Sequence, residues 1–215
     1  YGCCVLGLPC SVLKGNMKKK VLVIACGAIA KELVRISRLN AWQHLQFQCL
    51  PPELHNRPEQ IPAAVRAKIE SQAGAFEKIF VAYADCGTGG KLDEVLDEFG
   101  VERIAGAHCY EFFAGSENFM ELADAEPGSF YLTDFLVRHF DRLVIKGLAM
   151  DQLPHLIPVY FGNYKRLVYL AQTDSEELQE RAKKYAEFLQ LEYFYRFFGD
   201  DPLSESLKPV LEKQA

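Results

Sequence analysis

The sequence predicts an α/β protein with an open, mostly parallel, doubly wound sheet and helices on both faces. Short apolar runs of strand length alternate with amphipathic stretches of helix length from residue 19 onward. The connections between successive apolar runs are long enough to hold a helix, as parallel strands require. Hydrophobic residues make up 49% of the chain and charged residues 25%, which is typical of a globular protein.

The first half of the chain is expected to contribute four strands and the helices between them. Valine, isoleucine, leucine and phenylalanine concentrate in the apolar runs, as expected for buried strands. The second helix carries its prolines near its start, where they are tolerated, and Gly100 is placed to end the third helix. Strands are predicted at 19–26, 44–50, 76–84 and 101–107, and helices at 28–40, 57–74 and 89–100.

The stretch 110–164 interrupts this alternation and reads as an inserted aromatic helical segment. Its helical pieces include EFFAGSENFMEL and TDFLVRHFDRLVIKGL, followed by a piece marked by prolines, LPHLIPVYFGNY. The alternation then returns, and the helix at 173–190 begins with acids behind an N-cap at Thr173 or Asp174. After the segment we predict a strand at 165–172, a helix at 173–190 and a last strand at 192–199.

The chain is predicted to form a single α/β domain over 17–199. A translated chain does not begin with tyrosine and Met17 resembles a natural start, so residues 1–16 are expected to be a non-native or disordered extension. Residues 200–215 are expected to form a C-terminal tail or helix. The sequence leaves the oligomeric state open.

Charge and hydropathy exclude several classes of partner. The net charge of -5, the pI near 5.6 and the absence of a basic block argue against nucleic acid. No apolar run approaches the roughly 18 residues of a membrane helix. Without a convincing export signal we expect a cytoplasmic location, where thiols stay reduced and serve metal binding or catalysis rather than disulfides.

Four cysteines share one placement in the predicted sheet. Cys26, Cys49, Cys86 and Cys109 each stand at the end of, or just after, one of the first four strands. The carboxyl ends of parallel strands lie along one edge, where ligands bind in such folds. We therefore predict a shared, thiol-rich site at this edge for a small-molecule substrate. Each cysteine taken alone is more often a small buried apolar residue.

Further polar residues join the cysteines and suggest the chemistry of the site. Thiolate and imidazole together are ligands for zinc, or for a [4Fe-4S] cluster where thiolates dominate. The chain has no CxxC pair, so neither a zinc ribbon nor a thioredoxin-type motif is present. The predicted metal ligands are Cys26, His55, Cys86 and Cys109; the predicted catalytic groups are His55, Cys86 and Glu111; Cys49, Asp85 and His108 are auxiliary candidates.

A glycine-rich loop follows Cys86 and leads into a predicted helix. Backbone N–H groups exposed in such a turn bind anions and lower the pKa of a nearby thiol. The loop does not match the Walker motif. The stretch ACGAIA at the end of the first strand does not match the dinucleotide fingerprint, which argues against a nicotinamide cofactor. The predicted anion- or substrate-binding residues are Asn56, Arg57, Gly87, Thr88, Gly89 and Gly90, with Lys91 and Asn163 as weaker candidates.

Five stretches, VIACGAIAKEL, LHNRPEQIP, VAYADCGTGG, AHCYEFFAG and PGSFYLTDFLVRHF, together resemble the bacterial and archaeal family called domain of unknown function 1638. The resemblance covers about residues 18–199. It implies that Cys26, His55, Cys86 and Cys109 form the family pattern. Many relatives have His-Asp-Cys where this chain has His108 directly before Cys109. This departure from the family pattern concerns the role of His108 more than that of Cys109. The resemblance also suggests an association with corrinoid-dependent methyl transfer.

Three functional interpretations follow from these residues. The first is a metal-dependent enzyme, a hydrolase, lyase or transferase, acting on a small molecule. The second is a metal-free enzyme with Cys86 as nucleophile and His55 or His108 as base. The third is a metal-binding accessory protein with a corrinoid protein or methyltransferase as partner.

Overall fold

The computed structural model describes residues 20–211, and the side chains of residues 20–208. The predictions for 1–16 and for the last four residues lie outside the described residues. The first half contains β1 (Val21–Cys26), α1 (Ala30–Leu39), β2 (Leu45–Leu50), α2 (Ile61–Ser71), β3 (Lys78–Ala82), α3 (Lys91–Phe99) and β4 (Glu102–Arg103). These strands pair in parallel in the order β2-β1-β3-β4.

The second half contributes its own parallel sheet, with strands in the order β5-β6-β7. A π-helical stretch, Asp141–Lys146, follows α6 directly. The elements are α4 (Tyr110–Ala114), α5 (Ser116–Ala125), β5 (Ser129–Thr133), α6 (Asp134–Phe140), α7 (Ile157–Phe161), β6 (Arg166–Ala171), α8 (Glu176–Leu189), β7 (Glu192–Phe197) and α9 (Asp201–Leu211).

The α/β class and the parallel pairing are confirmed, but the strands form two sheets instead of one. The reason lies in the segment read as a helical insertion, since Ser129–Thr133 within it forms β5. This strand pairs with β6 in register from Ser129 opposite Arg166 to Thr133 opposite Leu170. Leu132 and Leu167 are fully buried there, so the aromatic segment supplies a strand as well as helices.

Apolar strands form the centre of each sheet. Every residue of β1 and of β6 is buried, as expected for parallel strands covered on both faces. A small cluster that includes Phe119 and Val168 packs α5 against the second sheet. Leu203 and Leu207 of α9 return to the core of the first sheet. Among the described residues, no helix combines the length and apolar character needed to cross a membrane.

Candidate functional site

Three predicted residues meet at the carboxyl edge of the first sheet. One ligand atom from each of His55, Cys86 and Cys109 lies within 4.8 Å of the others. The sulfur atoms of Cys86 and Cys109 are 2.8 Å apart, and Cys109 Sγ is 3.8 Å from His55 Nε2. Residues separated by up to 54 positions thus form one thiol–imidazole cluster.

Backbone hydrogen bonds beyond the short strand β4 bring Cys86 to Cys109. Asp85 N donates to Gly106 O at 3.1 Å, and Cys86 N donates to Ala107 O at 2.9 Å. These bonds extend the contact between the two loops that follow β3 and β4. Cys86 has a φ of 51°, in the left-handed region that residues other than glycine seldom adopt. Such a conformation is typical of functional sites, where the surrounding structure enforces it.

Glu111 holds the loop before Cys109 instead of facing the cluster. Its Oε1 accepts hydrogen bonds from Ala107 N at 2.8 Å and His108 N at 3.3 Å. The carboxyl therefore fixes the chain directly ahead of Cys109, which is 9% exposed. Oε1 of Glu111 is thus engaged with the backbone, and the catalytic role of Glu111 stays a prediction. The sequence could not show that engagement.

His55 lies between two cysteines. It belongs to the 3₁₀ turn Pro52–Asn56, which follows β2. Its Nδ1 is 3.5 Å from Cys26 Sγ and 3.3 Å from Pro52 O, while its Nε2 faces Cys109. The two ring nitrogens point in different directions, so Cys26 lies on the far side of the imidazole and outside the group of three. Its role as a direct ligand stays a prediction.

The cluster shifts the protonation of its own members. Cys109 donates a hydrogen bond that, with the nearby His55, lowers the pKa of Cys86 to about 5 despite partial burial. The same bond to Cys86, together with burial, raises the pKa of Cys109 well above its ordinary value. Burial opposes the charged form of His55, but its hydrogen bonds to Cys26 and Cys86 outweigh this and raise its pKa to about 10. The metal-free cluster therefore stabilises a thiolate beside an imidazolium.

The fourth cysteine of the predicted set, Cys49, does not join the cluster. It is exposed, whereas its strand neighbour Leu50 is 6% exposed. Cys49 pairs with Ala25, one register position before the pair formed by Cys26 and Leu50. Successive side chains alternate between the faces of a strand, and β2 is the edge strand of its sheet. Cys49 lies outside the cluster for this reason, and its auxiliary role stays a prediction.

Asp85 occupies the donors that were expected to bind an anion. Its carboxylate accepts hydrogen bonds from Thr88 Oγ1 at 2.7 Å, Gly90 N at 2.9 Å and Gly89 N at 3.1 Å. These bonds, that of Thr88 first, lower the pKa of Asp85 to about 2. The glycine loop thus binds a carboxylate of its own chain, and its role in binding a substrate anion stays a prediction.

A cavity of about 420 Å³ opens beside the cluster. His55, Cys86 and Cys109 line this cavity, together with Asn56, Gly87 and His108. The remaining predicted substrate contacts lie outside its lining: Arg57, Thr88, Gly89, Gly90, Lys91 and Asn163.

Much of the remaining lining of this cavity consists of residues that sequence reasoning did not assign to the site. We call this surface the apolar wall. Its aromatic side chains belong to the segment predicted to be an aromatic helical insertion, and their clustering in that segment was the only available signal. The apolar wall comprises Phe130, Phe135, Leu136, Leu148, Phe161 and Tyr164.

Tyr83 is a second residue missed by sequence reasoning. Its side chain is fully buried directly after β3, and its hydroxyl has no hydrogen-bond partner among the described residues. Burial and then the neighbouring Cys26 raise the pKa of Tyr83 far above its ordinary value. The hydroxyl therefore remains a neutral donor close to the sulfur atoms.

A comparison with protein families finds one match. The model described as "Protein of unknown function (DUF1638)" matches residues 49–207, which include His55, Cys86, Cys109 and the apolar wall. No curated protein matches the chain, and no solved structure matches it.

Proposed function

The chain belongs to the domain of unknown function 1638 family, and we propose that it is a metal-dependent enzyme acting on a small molecule. His55, Cys86 and Cys109 would hold one metal ion. The observation that carries this proposal is the distance between their ligand atoms, all within 4.8 Å in the lining of the cavity. A reactive centre beside a concave, mostly apolar space is the usual arrangement of an enzyme site.

The spacing of the three ligand atoms favours a single zinc ion over a four-iron cluster. Zn–S bonds of about 2.3 Å in a tetrahedral site place two sulfurs about 3.8 Å apart. Cys86 and Cys109 would need to separate by about 1 Å from their 2.8 Å contact. A four-iron cluster lies between its thiolates and requires a much larger separation. Thiolate and imidazole are also the ligand types that zinc selects.

Two neighbours of the cluster fit a site that holds negatively charged sulfur. The buried Tyr83 hydroxyl lacks a partner among the described residues and can donate toward a thiolate. Cys26 Sγ and Pro52 O both face His55 Nδ1, so either can accept its proton while Nε2 binds metal. Metal-binding histidines are commonly oriented by such a contact on the other nitrogen.

Three protein ligands leave a fourth position for a substrate. Structural zinc sites are closed by four protein ligands, while catalytic sites keep one position open. Zinc held by these three residues would supply Lewis-acid chemistry, because it would polarise a substrate group at the fourth position or lower the pKa of that group. Asn56, Gly87 and His108 line the same cavity and are placed to contact that group. His108 is exposed and is the free imidazole of this set, suited to moving a proton.

Metal analysis of protein purified without oxygen tests this proposal. We expect about one zinc per chain and no acid-labile sulfide. Cys86→Ser and Cys109→Ser should each weaken zinc binding about 100-fold, because structural sites gain roughly 10–16 kcal/mol from four ligands. Cys49→Ser is the matched control and should retain the metal, since Cys49 is exposed outside the cluster. Folded wild-type protein that lacks metal and binds no added zinc would refute the proposal.

Thiol catalysis without metal is the second candidate, and the contacts of Cys86 favour it. The Cys86 sulfur has Cys109 at 2.8 Å and His55 within the same cluster, and both stabilise the thiolate. A stabilised thiolate beside an imidazole is the arrangement of a cysteine nucleophile. Cys86 also lines the cavity and is only partly buried.

Alkylation by iodoacetamide separates the two candidates. In metal-free protein Cys86 should react already at pH 6, because its pKa is about 5, whereas Cys49 should react only as pH approaches its raised pKa. Metal binding should protect Cys86 and leave Cys49 unchanged. Equal alkylation rates for Cys86 and Cys49 at pH 6 would exclude Cys86 as the nucleophile.

A further inference from the structure

We infer that the substrate is an uncharged, largely apolar small molecule whose body lies against the apolar wall. This inference rests on the proposed function, because it places the reacting group of the substrate at the cluster. The lining of the cavity motivates it. Apart from the sulfur and imidazole groups, the lining consists mostly of aromatic and aliphatic side chains, many of them from the second half of the chain.

Among the residues that the structure describes, no Lys, Arg, Asp or Glu lines the cavity. Arg142 lies nearby in sequence to the wall, but it is exposed and forms an ion pair with Glu53. Gly89 and Gly90, the backbone donors expected to receive an anion, donate to Asp85. An anionic substrate would therefore lose its hydration without gaining a positive partner, which is costly.

The metal would not supply the missing positive charge. Zinc held by two thiolates and a neutral imidazole carries no net charge, because the two sulfurs cancel the charge of the ion. A phosphate or carboxylate would then face a neutral centre and an apolar surface. This arrangement selects against anions throughout the cavity.

Two polar side chains of the lining already form hydrogen bonds with the backbone. Asn56 Nδ2 donates to Leu143 O at 3.0 Å. Thr133 Oγ1 accepts from Leu136 N at 3.4 Å at the start of α6. Apolar contact is therefore what most of the cavity offers.

Aromatic packing fixes the shape of the wall. Phe130 contacts Phe161 edge to face with ring centroids 5.1 Å apart, and Tyr164 in the same way at 5.7 Å. Such edge-to-face contacts are favourable and hold the rings in place. The volume of about 420 Å³ lies within the range of small-molecule sites. A single substituted aromatic ring or a short branched hydrocarbon matches this space.

Two thiols that differ only in their bodies test the inference. Phenylmethanethiol and 3-sulfanylpropanoate present the same head group, with an aromatic and an anionic body respectively. Isothermal titration of wild-type protein, with its metal content measured first, should show at least tenfold tighter binding of phenylmethanethiol. In zinc-loaded protein, equal binding of both thiols, preference for the carboxylate, or no binding of either would overturn the inference.

Charge placed in the wall should reverse the preference. Leu148 is partly buried and lines the cavity, so Leu148→Lys should improve the relative affinity for 3-sulfanylpropanoate at least tenfold. Val159→Lys is the matched control and should change nothing, because Val159 is 71% exposed and outside the lining. A folded Leu148→Lys variant with unchanged preference would contradict the inference, and the wild-type comparison decides the matter if that variant does not fold.

Butylbenzene separates the failure of this inference from failure of the metal proposal. It has no metal-binding group, so it should bind the cavity in protein with or without zinc. Binding of butylbenzene to a chain that takes up no metal would retain the apolar substrate class and reject the metal. A zinc-loaded protein that does not bind butylbenzene would reject the substrate class and retain the metal.

Discussion

Two tyrosines of the second sheet should respond oppositely to loss of the same hydroxyl group. Tyr169 is fully buried in β6, and its hydroxyl donates to Asp134 Oδ1 at 2.7 Å. Tyr193 in β7 has a buried hydroxyl with no partner among the described residues. Phenylalanine at either position removes one oxygen and leaves the ring. Comparing the two variants therefore measures the contribution of the hydrogen bond to the free energy of unfolding.

Tyr169→Phe should destabilise the protein by about 2 kcal/mol, since a hydrogen bond to a charged group contributes roughly 1.5–3 kcal/mol. The lower part of this range applies because Asp134 Oδ1 also accepts from Gln172 N at 3.0 Å and stays partly satisfied. Tyr193→Phe removes a buried hydroxyl that lacks a partner and should be neutral or stabilising by about 1 kcal/mol. The two variants should thus differ by about 2–3 kcal/mol.

Urea unfolding followed by circular dichroism measures both changes. Midpoints convert to free energies of unfolding where the slope with denaturant is unchanged. Tyr160→Phe serves as a surface control because Tyr160 is 42% exposed. Asp134 begins α6, which carries Phe135 and Leu136 of the apolar wall, so Tyr169→Phe should also weaken butylbenzene binding. Equal destabilisation by Tyr169→Phe and Tyr193→Phe would refute the reasoning.

Two further comparisons test a buried acid and the contact between the halves. Burial raises the pKa of Glu32 in the folded protein above the value of about 4.5 in the unfolded chain. The protonated Glu32 therefore supports the fold fully below pH 4.5, and this contribution to stability is lost as the pH rises through the folded-state pKa. Glu32→Gln should therefore gain roughly 1–3 kcal/mol relative to wild type between pH 4.5 and 8, because the buried Oε2 has no hydrogen-bond partner among the described residues. Glu187→Gln, on the exposed face of α8, should gain nothing, and a parallel pH response in both variants would contradict this. Asn56→Ala should cost about 1 kcal/mol by urea unfolding, because its side chain donates to a backbone carbonyl of the π-helical stretch. Arg142→Ala removes an exposed ion pair between the same two segments and should cost under about 0.5 kcal/mol. A larger loss of stability for Arg142→Ala than for Asn56→Ala would contradict this expectation.

The convergence of distant thiols could be predicted because parallel strands end at one edge. Cys26 ends β1, Cys86 and Cys109 follow β3 and β4, and the structure brings all three to His55. Cys49 ends its strand in the same way but lies on the other face of an edge strand. A residue at the end of a parallel strand must lie at the carboxyl edge of the sheet. The face of the sheet that its side chain occupies depends on the register, and a shift of one residue reverses it.

The roles of charged residues near the site were harder to predict. Asp85 and Glu111 have side chains suited to catalysis, yet both accept hydrogen bonds from backbone N–H groups of their own loops. Such local bonds depend on turn geometry, which sequence spacing does not fix. The second sheet was missed for a related reason. Pro127–Gly128 before SFYLT was a turn signal, but the aromatic surroundings were interpreted as helical core.

The segment predicted to be an insertion supplies the apolar wall of the proposed enzyme site. The sulfur and imidazole ligands come from loops of the first sheet, whereas the apolar wall comes from β5, α6, α7 and the chain around them. A metal centre alone does not select a substrate, since its ligands recognise only the reacting atom. Under the proposed function, selectivity would then come from the other residues that line the cavity, among them the apolar wall. The metal ligands would come from the first half of the chain and the apolar wall comes from the second, so a change in the wall should alter which molecule binds without altering which metal is held.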